Sequence, residues 1–184
     1  MFSENVSLWV SSPETDFLES YATELLRKEE IRLGRSKVFI KSVEVGCTPP
    51  FNEEMLIKML SPVTVYSTLE KKDGSKKTYF YHPREPEFCE LISKNLKKKY
   101  RAFYRCEPPK EKFEIKPEKV SSRSLMIVNY KDFVIKGWLG VYRVRSHPEL
   151  IKLGWDSGIG SKNSQGFGMF EFIIQKPEEV KNES

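Results

Sequence analysis

At 184 residues, with 39% hydrophobic and 31% charged side chains, the chain has enough apolar material for a folded core inside a heavily charged surface, which excludes general disorder. Its apolar runs, such as Leu125–Val128, are far too short to cross a bilayer, and Met1–Asn5 lacks the basic start and apolar stretch of a signal peptide, so a soluble, cytoplasmic protein is expected. The net charge of +5 is compatible with a polyanionic partner, and Cys47, Cys89 and Cys106 are too few and too widely spaced for a disulfide framework or a zinc site.

In chain order, Val6–Val10 reads as a short strand. Ser12 suits a helix N-cap, with Pro13 at the first helical position and Glu14 and Asp16 near the positive end of the helix dipole. Phe17, Leu18, Tyr21, Ala22, Leu25 and Leu26 recur on one face of that helix. Val38, Ile40, Val43 and Val45 then alternate as a strand that Pro49-Pro50 stops. Met55–Tyr66 is rich in β-branched residues, with Pro62 marking an edge or bulge. Asp73-Gly74 predicts a hairpin turn before Thr78–Tyr81. Pro83–Pro86 introduces a long helix over Glu87–Tyr104, and strands are expected around Phe113–Ile115, Leu125–Tyr130 and Phe133–Val144. A short helix at Pro148–Trp155 and a strand at Phe167–Ile174 follow, then a polar tail at Lys176–Ser184.

This order divides the chain into residues 1–50, 51–176 and a tail at 177–184. The second segment has the strand–helix–strands–helix–strand order of a ferredoxin-like α+β unit. The first has only half of one. In that topology the first strand lies between the third and fourth, so a strand–helix–strand remnant lacks the strand that joins its two.

Three features could carry function. The strongest is Gly158-Ile159-Gly160-Ser161-Lys162-Asn163-Ser164-Gln165-Gly166-Phe167-Gly168-Met169, which has four glycines in eleven residues. Glycines let backbone N–H groups approach phosphate, Lys162 adds charge, and Ser161, Asn163 and Ser164 add donors. A Walker A loop needs Gly-Lys-Ser/Thr, whereas Ser161 precedes Lys162 here; a dinucleotide loop needs glycine where Asn163 stands. The competing structural reading is a turn capping the last helix, with Phe167 and Met169 entering the core. The second feature is the helix Glu87–Tyr104. Phe88, Ile92, Leu96, Tyr100 and Phe103 share one arc, while Lys94, Lys97, Lys98, Arg101 and Arg105 form a basic stripe able to follow a phosphate backbone or simply to stay solvated. The third is Ile135–Arg145, where Lys136, Arg143 and Arg145 interleave with Trp138 and Tyr142 as a surface for stacking and backbone contact would require, or as an ordinary strand with Trp138 in the core would also give.

The two histidines, His82 and His147, each precede a proline at a helix entry, where a surface or capping role is expected; either could in principle act as an acid or base. No nucleophile–histidine–acid arrangement stands out, the carboxylates do not cluster as metal ligands, and no cofactor is expected.

The glycine-rich motif, preceded by Lys136-Gly137-Trp138-Leu139-Gly140 and by Glu149-Leu150-Ile151-Lys152-Leu153, together with Leu60-Ser61-Pro62, resembles the C-terminal two-thirds of the CRISPR-associated repeat-processing endoribonucleases of the RAMP superfamily. The resemblance implies tandem ferredoxin-like (RAMP/RRM-like) domains, the first incomplete. It also implies metal-independent cleavage of precursor transcripts by ribose 2′-hydroxyl attack, and a glycine-rich loop that positions the RNA. The implied partner is CRISPR repeat RNA, single-stranded or hairpin, with other CRISPR-associated proteins and a homodimer left open and no membrane. The family's catalytic histidine comes from a region that nothing in this sequence matches, so RNA binding without cleavage is expected. The alternative is a non-catalytic subunit of an RNA-guided effector complex.

Overall fold

A computed structural model describes residues 5–28, 30–70, 73–130 and 133–173. The chain divides into two compact units, Met1–Pro50 and Phe51–Ser184.

In the first unit, α1 spans Thr15–Arg27 and is followed by a hairpin of β1 (Glu30–Leu33) and β2 (Ser36–Phe39). Val6–Val10 is not a strand, and the helix starts later than Pro13: the Ser12 hydroxyl accepts the Glu14 amide at 3.1 Å just ahead of it. The expected strand over 38–45 ends at Phe39. Gly34, at φ 62°, turns the chain back so that Val38 pairs with Ile31, a local partner that the stretch beyond residue 39 does not have. α1 buries none of its residues, as expected of a helix offered only a two-stranded ribbon.

The second unit contains an antiparallel four-stranded sheet. Its strands are β3 (Glu54–Met59), β6 (Glu114–Lys119), β9 (Val141–Arg145) and β10 (Phe170–Phe172), arranged β10-β3-β9-β6. The first of these strands therefore lies between the third and the fourth. Two helices connect them: α2 (Pro86–Tyr104) and α3 (Pro148–Ser157). This is the ferredoxin-like α+β arrangement. Proline stands at the start of both helices, where a missing N–H costs nothing. Phe88, Ile92, Leu96 and Tyr100 of α2 join Leu150, Ile151 and Leu153 of α3, packing with Ile57, Phe113, Tyr142, Val144 and Phe170 in a buried core. Full burial of each large side chain contributes about 1.5–3 kcal/mol.

Two hairpins extend this frame: β4 (Tyr66–Glu70) with β5 (Lys76–Phe80), and β7 (Leu125–Tyr130) with β8 (Phe133–Trp138). The Asp73-Gly74 turn is present, with the Asp73 carboxylate accepting the Ser75 amide at 2.9 Å. Two expected long strands are each broken. Met55–Tyr66 stops at Met59 because Pro62 has no N–H to donate, and Val63 leaves the sheet to exchange both backbone bonds with Trp138 (3.0 and 2.9 Å). Phe133–Val144 splits at Leu139-Gly140, where φ is 127° and a β-carbon on Gly140 would lie 2.6 Å from the Lys119 carbonyl. The last strand is confined to Phe170–Phe172, because Gly168 is held in a left-handed conformation; Ile174 and the tail lie outside the described residues. Among the described residues no helix is long and apolar enough to cross a membrane.

The glycines before β10 supply a test. At Gly168, φ is 83° and a β-carbon would come within 2.0 Å of the Ile159 carbonyl oxygen, whereas at Gly166, φ is 86° but the space is open. Gly168→Ala should cost ~3 kcal/mol or more and Gly166→Ala ~1 kcal/mol, read as shifts of the denaturant midpoint. Equal costs would show that the close approach at Gly168 is relieved by backbone movement.

Candidate nucleic-acid interface

The glycine-rich segment runs from the C-terminus of α3 to β10, and two residue sets within it behave differently. Its shoulders are packed. Gly158, Ile159 and Gly160 on one side, with Phe167 and Gly168 on the other, are buried. A β-carbon on Gly160 would lie 2.6 Å from the Thr64 carbonyl, and one on Gly158 2.7 Å from the Asn163 side chain. Several amides in and beside the segment are used internally: Ile159 donates to the Gly168 carbonyl (2.9 Å), Gly168 to Pro62 (3.0 Å), Ser161 to Thr64 (2.8 Å) and Met169 to the Ser61 hydroxyl (2.9 Å). The expected open array of amides is thus narrowed, because three of the four glycines serve close packing.

The tip is Ser161–Gly166. Lys162 takes a left-handed conformation (φ 61°, ψ 31°) and starts a short 3₁₀ turn over Asn163–Gln165. Ser164, Gln165 and Gly166 are exposed, and Ser161, Lys162 and Asn163 half-buried. The N–H groups of Lys162, Asn163 and Ser164 make no hydrogen bond to the described protein. The Lys162 ammonium stands 5.3 Å from the centre of the Tyr66 ring, without a carboxylate partner among the described residues. An ammonium over an aromatic face keeps its charge available to an anion while its stem is held.

From beneath, Lys99 of α2 reaches this segment. Its Nζ donates to the Gly158 carbonyl and the Asn163 side-chain oxygen, both at 2.7 Å, and to the Ser157 carbonyl and hydroxyl at 3.1 and 3.2 Å. Asn163 in turn donates through Nδ2 to the Ile159 carbonyl (3.0 Å) and the Phe167 carbonyl (2.9 Å), spanning the base of the tip. Burial pushes the Lys99 ammonium down to about 8.

The other expected RNA-contacting residues are scattered. Lys136 is exposed on β8, and its carbonyl accepts the Thr64 hydroxyl at 2.7 Å, so its backbone adjoins the stretch Pro62–Thr64. Arg143 and Arg145 alternate with buried Tyr142 and Val144, so both lie on the face of the sheet opposite the core. The Arg143 guanidinium is taken by Glu118 (2.6 Å) and Glu54 (2.8 Å). Lys94 and Lys98 are exposed on α2, while Arg101 is paired with Glu107 at 2.9 Å. Each histidine accepts a backbone amide through Nδ1, His82 from Arg84 (3.2 Å) and His147 from Glu149 (3.4 Å). His82 also lies edge-to-face with Trp138. Among the described residues no group of histidine, cysteine and carboxylate side chains could hold a metal ion.

Sequence reasoning missed Tyr66, Thr64 and Lys99. Lys99 had a signal: it falls on the apolar arc of α2, three residues after Leu96 and four before Phe103, where a lysine must find acceptors inside.

The strand order and the packed glycine segment define a ferredoxin-like α+β protein with a loop of packed base leading into its edge strand. The family described as CRISPR associated protein Cas6, C-terminal, matches residues 46–172. The CRISPR-associated endoribonuclease Cas6 1 of Methanocaldococcus jannaschii is 33% identical over 180 residues, covering 95% of this chain and 66% of the relative. The CRISPR-associated endoribonuclease Cas6 of Pyrococcus furiosus is 32% identical over 161 residues, covering 84% of this chain and 55% of the relative. A solved structure of a CRISPR associated protein Cas6 superposes with a TM-score of 0.74 at 30% identity over 89% of this chain and 66% of that one. A RAMP protein binding different RNA substrates shares the fold at a TM-score of 0.77 and 22% identity, over 89% and 67%. The chain belongs to the Cas6 family of CRISPR-associated proteins. It spans 66% and 55% of the lengths of the two relatives.

The buried ammonium gives a signed pH effect. Between about 8 and the ordinary lysine value of 10.5, the unfolded chain holds the proton that the folded chain has lost, so stability rises with pH across that window. Denaturant titrations at several pH values should show wild-type stability rising relative to Lys99→Met through this range. A constant difference between the two would contradict a desolvated Lys99.

Proposed function

We propose that this chain binds CRISPR repeat RNA, single-stranded or hairpin, with the tip of the glycine-rich loop as the contact to the phosphate backbone. Family membership supports the ligand, since the matching relatives from M. jannaschii and P. furiosus are named CRISPR-associated endoribonucleases. The observation that carries the reading is the tip itself: an ammonium held over Tyr66 without a carboxylate partner among the described residues, next to exposed serine and glutamine side chains on a packed base. A phosphate is satisfied by that combination of charge and donors, and Tyr66 adds an aromatic ring able to stack a base. Lys136, whose carbonyl accepts the Thr64 hydroxyl, adds an exposed cation on β8. Arg143 is a weaker contributor than the sequence implies, because RNA would have to displace two carboxylates from it.

In this reading the chain acts as the RNA-positioning part of a repeat-processing endoribonuclease. We assign no proton transfer to His82 or His147, both of which spend a ring nitrogen on a backbone amide. Metal-independent cutting by this chain that disappears in His82→Ala or His147→Ala would contradict that assignment.

Binding of a labelled repeat RNA should weaken about tenfold in Lys162→Ala, the scale of one charge-assisted contact, with the melting temperature unchanged. The slope of log K against log salt should fall by ~0.7 in the variant, one phosphate contact fewer on a single strand. Loss of stability with unchanged affinity would show that Lys162 serves the fold and not the RNA.

A further inference from the structure

We propose that Lys99 is a positioning residue for RNA binding: its ammonium joins the end of α3 to Asn163 and so fixes the conformation in which the loop tip presents Lys162. The inference rests on the RNA reading of the loop and adds what sets its shape.

The residue is badly placed to touch RNA and well placed to organise what does. α2 is anchored in the core by Phe88, Ile92, Leu96 and Tyr100, so the stem of Lys99 departs from a fixed point. Its three N–H bonds face four oxygens: the carbonyls of Ser157 and Gly158, the Ser157 hydroxyl and the Asn163 side chain. All four are neutral. The two carbonyls lie at the negative end of the α3 dipole, which favours a cation there. Accepting from Lys99 through Oδ1 turns the Asn163 amide nitrogen toward the Ile159 and Phe167 carbonyls, one on each side of the tip. A chain of hydrogen bonds therefore runs from the core helix, through the end of α3, to both shoulders of the exposed turn that carries Lys162.

The neighbouring charges are engaged elsewhere. On α2, Lys98 is exposed and Tyr100 donates to Glu149 of α3 at 2.6 Å. On α3, Lys152 takes the Asp156 carboxylate at 2.5 Å, and in the loop Lys162 lies over Tyr66. Among the described residues no carboxylate bonds Lys99, and burial lowers its pKa to about 8. A neutral amine keeps two N–H bonds and loses the charge that draws the four oxygens together, so deprotonation releases the network. A role confined to stability would respond in the opposite sense, since losing a buried charge stabilises the fold.

The test uses the intact chain, free and with a labelled repeat RNA. Amide NMR spectra of the free protein recorded across pH 8 should show the Gly158–Gly168 signals and the Asn163 side-chain amide moving together, with a midpoint near that value. These shifts should vanish in Lys99→Met, which keeps the stem and removes the donors. RNA affinity should fall across the same pH range in wild type, and Lys99→Met should bind roughly tenfold more weakly at neutral pH. The double variant Lys99→Met/Lys162→Ala should bind no more weakly than Lys162→Ala alone, because Lys99 acts through the tip. Fully additive losses, or unchanged affinity in a folded Lys99→Met, would overturn the proposal, as would loop signals that do not titrate in wild type. If Lys99→Met does not fold, the wild-type titration decides. Loop signals that titrate as expected in a wild type that binds no RNA would instead remove the RNA reading on which the proposal stands.

Discussion

The second unit is organised around a short stretch, half-buried Pro62 followed by buried Val63 and Thr64, against which two other segments press without room for a β-carbon. On one side Gly137 of β8 approaches Pro62, where a β-carbon would lie 2.9 Å away; on the other Gly160 approaches the Thr64 carbonyl. The stretch answers with its own backbone. Val63 exchanges two hydrogen bonds with Trp138, Pro62 accepts from Gly168 and Thr64 from Ser161. Buried amides and carbonyls must be paired, and here that requirement fixes the hairpin β7–β8 and the glycine segment onto one support. Pro62 starts the arrangement by ending β3 and freeing the next residues from the central sheet.

This support separates two roles that the glycine-rich sequence mixes. Gly158, Gly160 and Gly168 permit close packing; the tip between them carries the side chains that can meet a ligand. A loop whose base is tied to the sheet on one side and to Lys99 on the other loses little conformational entropy when its tip binds, which is how a small set of polar contacts becomes useful affinity. Arg143 of β9 is a poorer candidate, because it is already committed to Glu54 and Glu118.

Much of the fold was legible because its signals are local. α2 follows from Pro86, an apolar repeat and its length; the β4–β5 hairpin follows from Asp73-Gly74; the ferredoxin-like order follows from the sequence of elements. Pro62 was legible as an edge or bulge, but the pairing of Val63 with Trp138 and the break at Gly140 were not, since each depends on a partner from another part of the chain. The partners of Arg143 illustrate the same limit: Glu118 and Glu54 stand 25 and 89 residues away. At the site, the glycine pattern located the loop and Lys162, while its internal use of amides required the packing to be seen. Tyr66 carries no distinguishing pattern. Lys99 could have been found by noticing a lysine on the apolar arc of α2.

Ultraviolet crosslinking of bound repeat RNA, followed by identification of the modified peptides, tests the central claim most directly. Adducts should fall on Tyr66 and on the segment Ser161–Gly166. Adducts confined to the β7–β8 hairpin or to the sheet face bearing Arg143, with the loop unmodified, would contradict it.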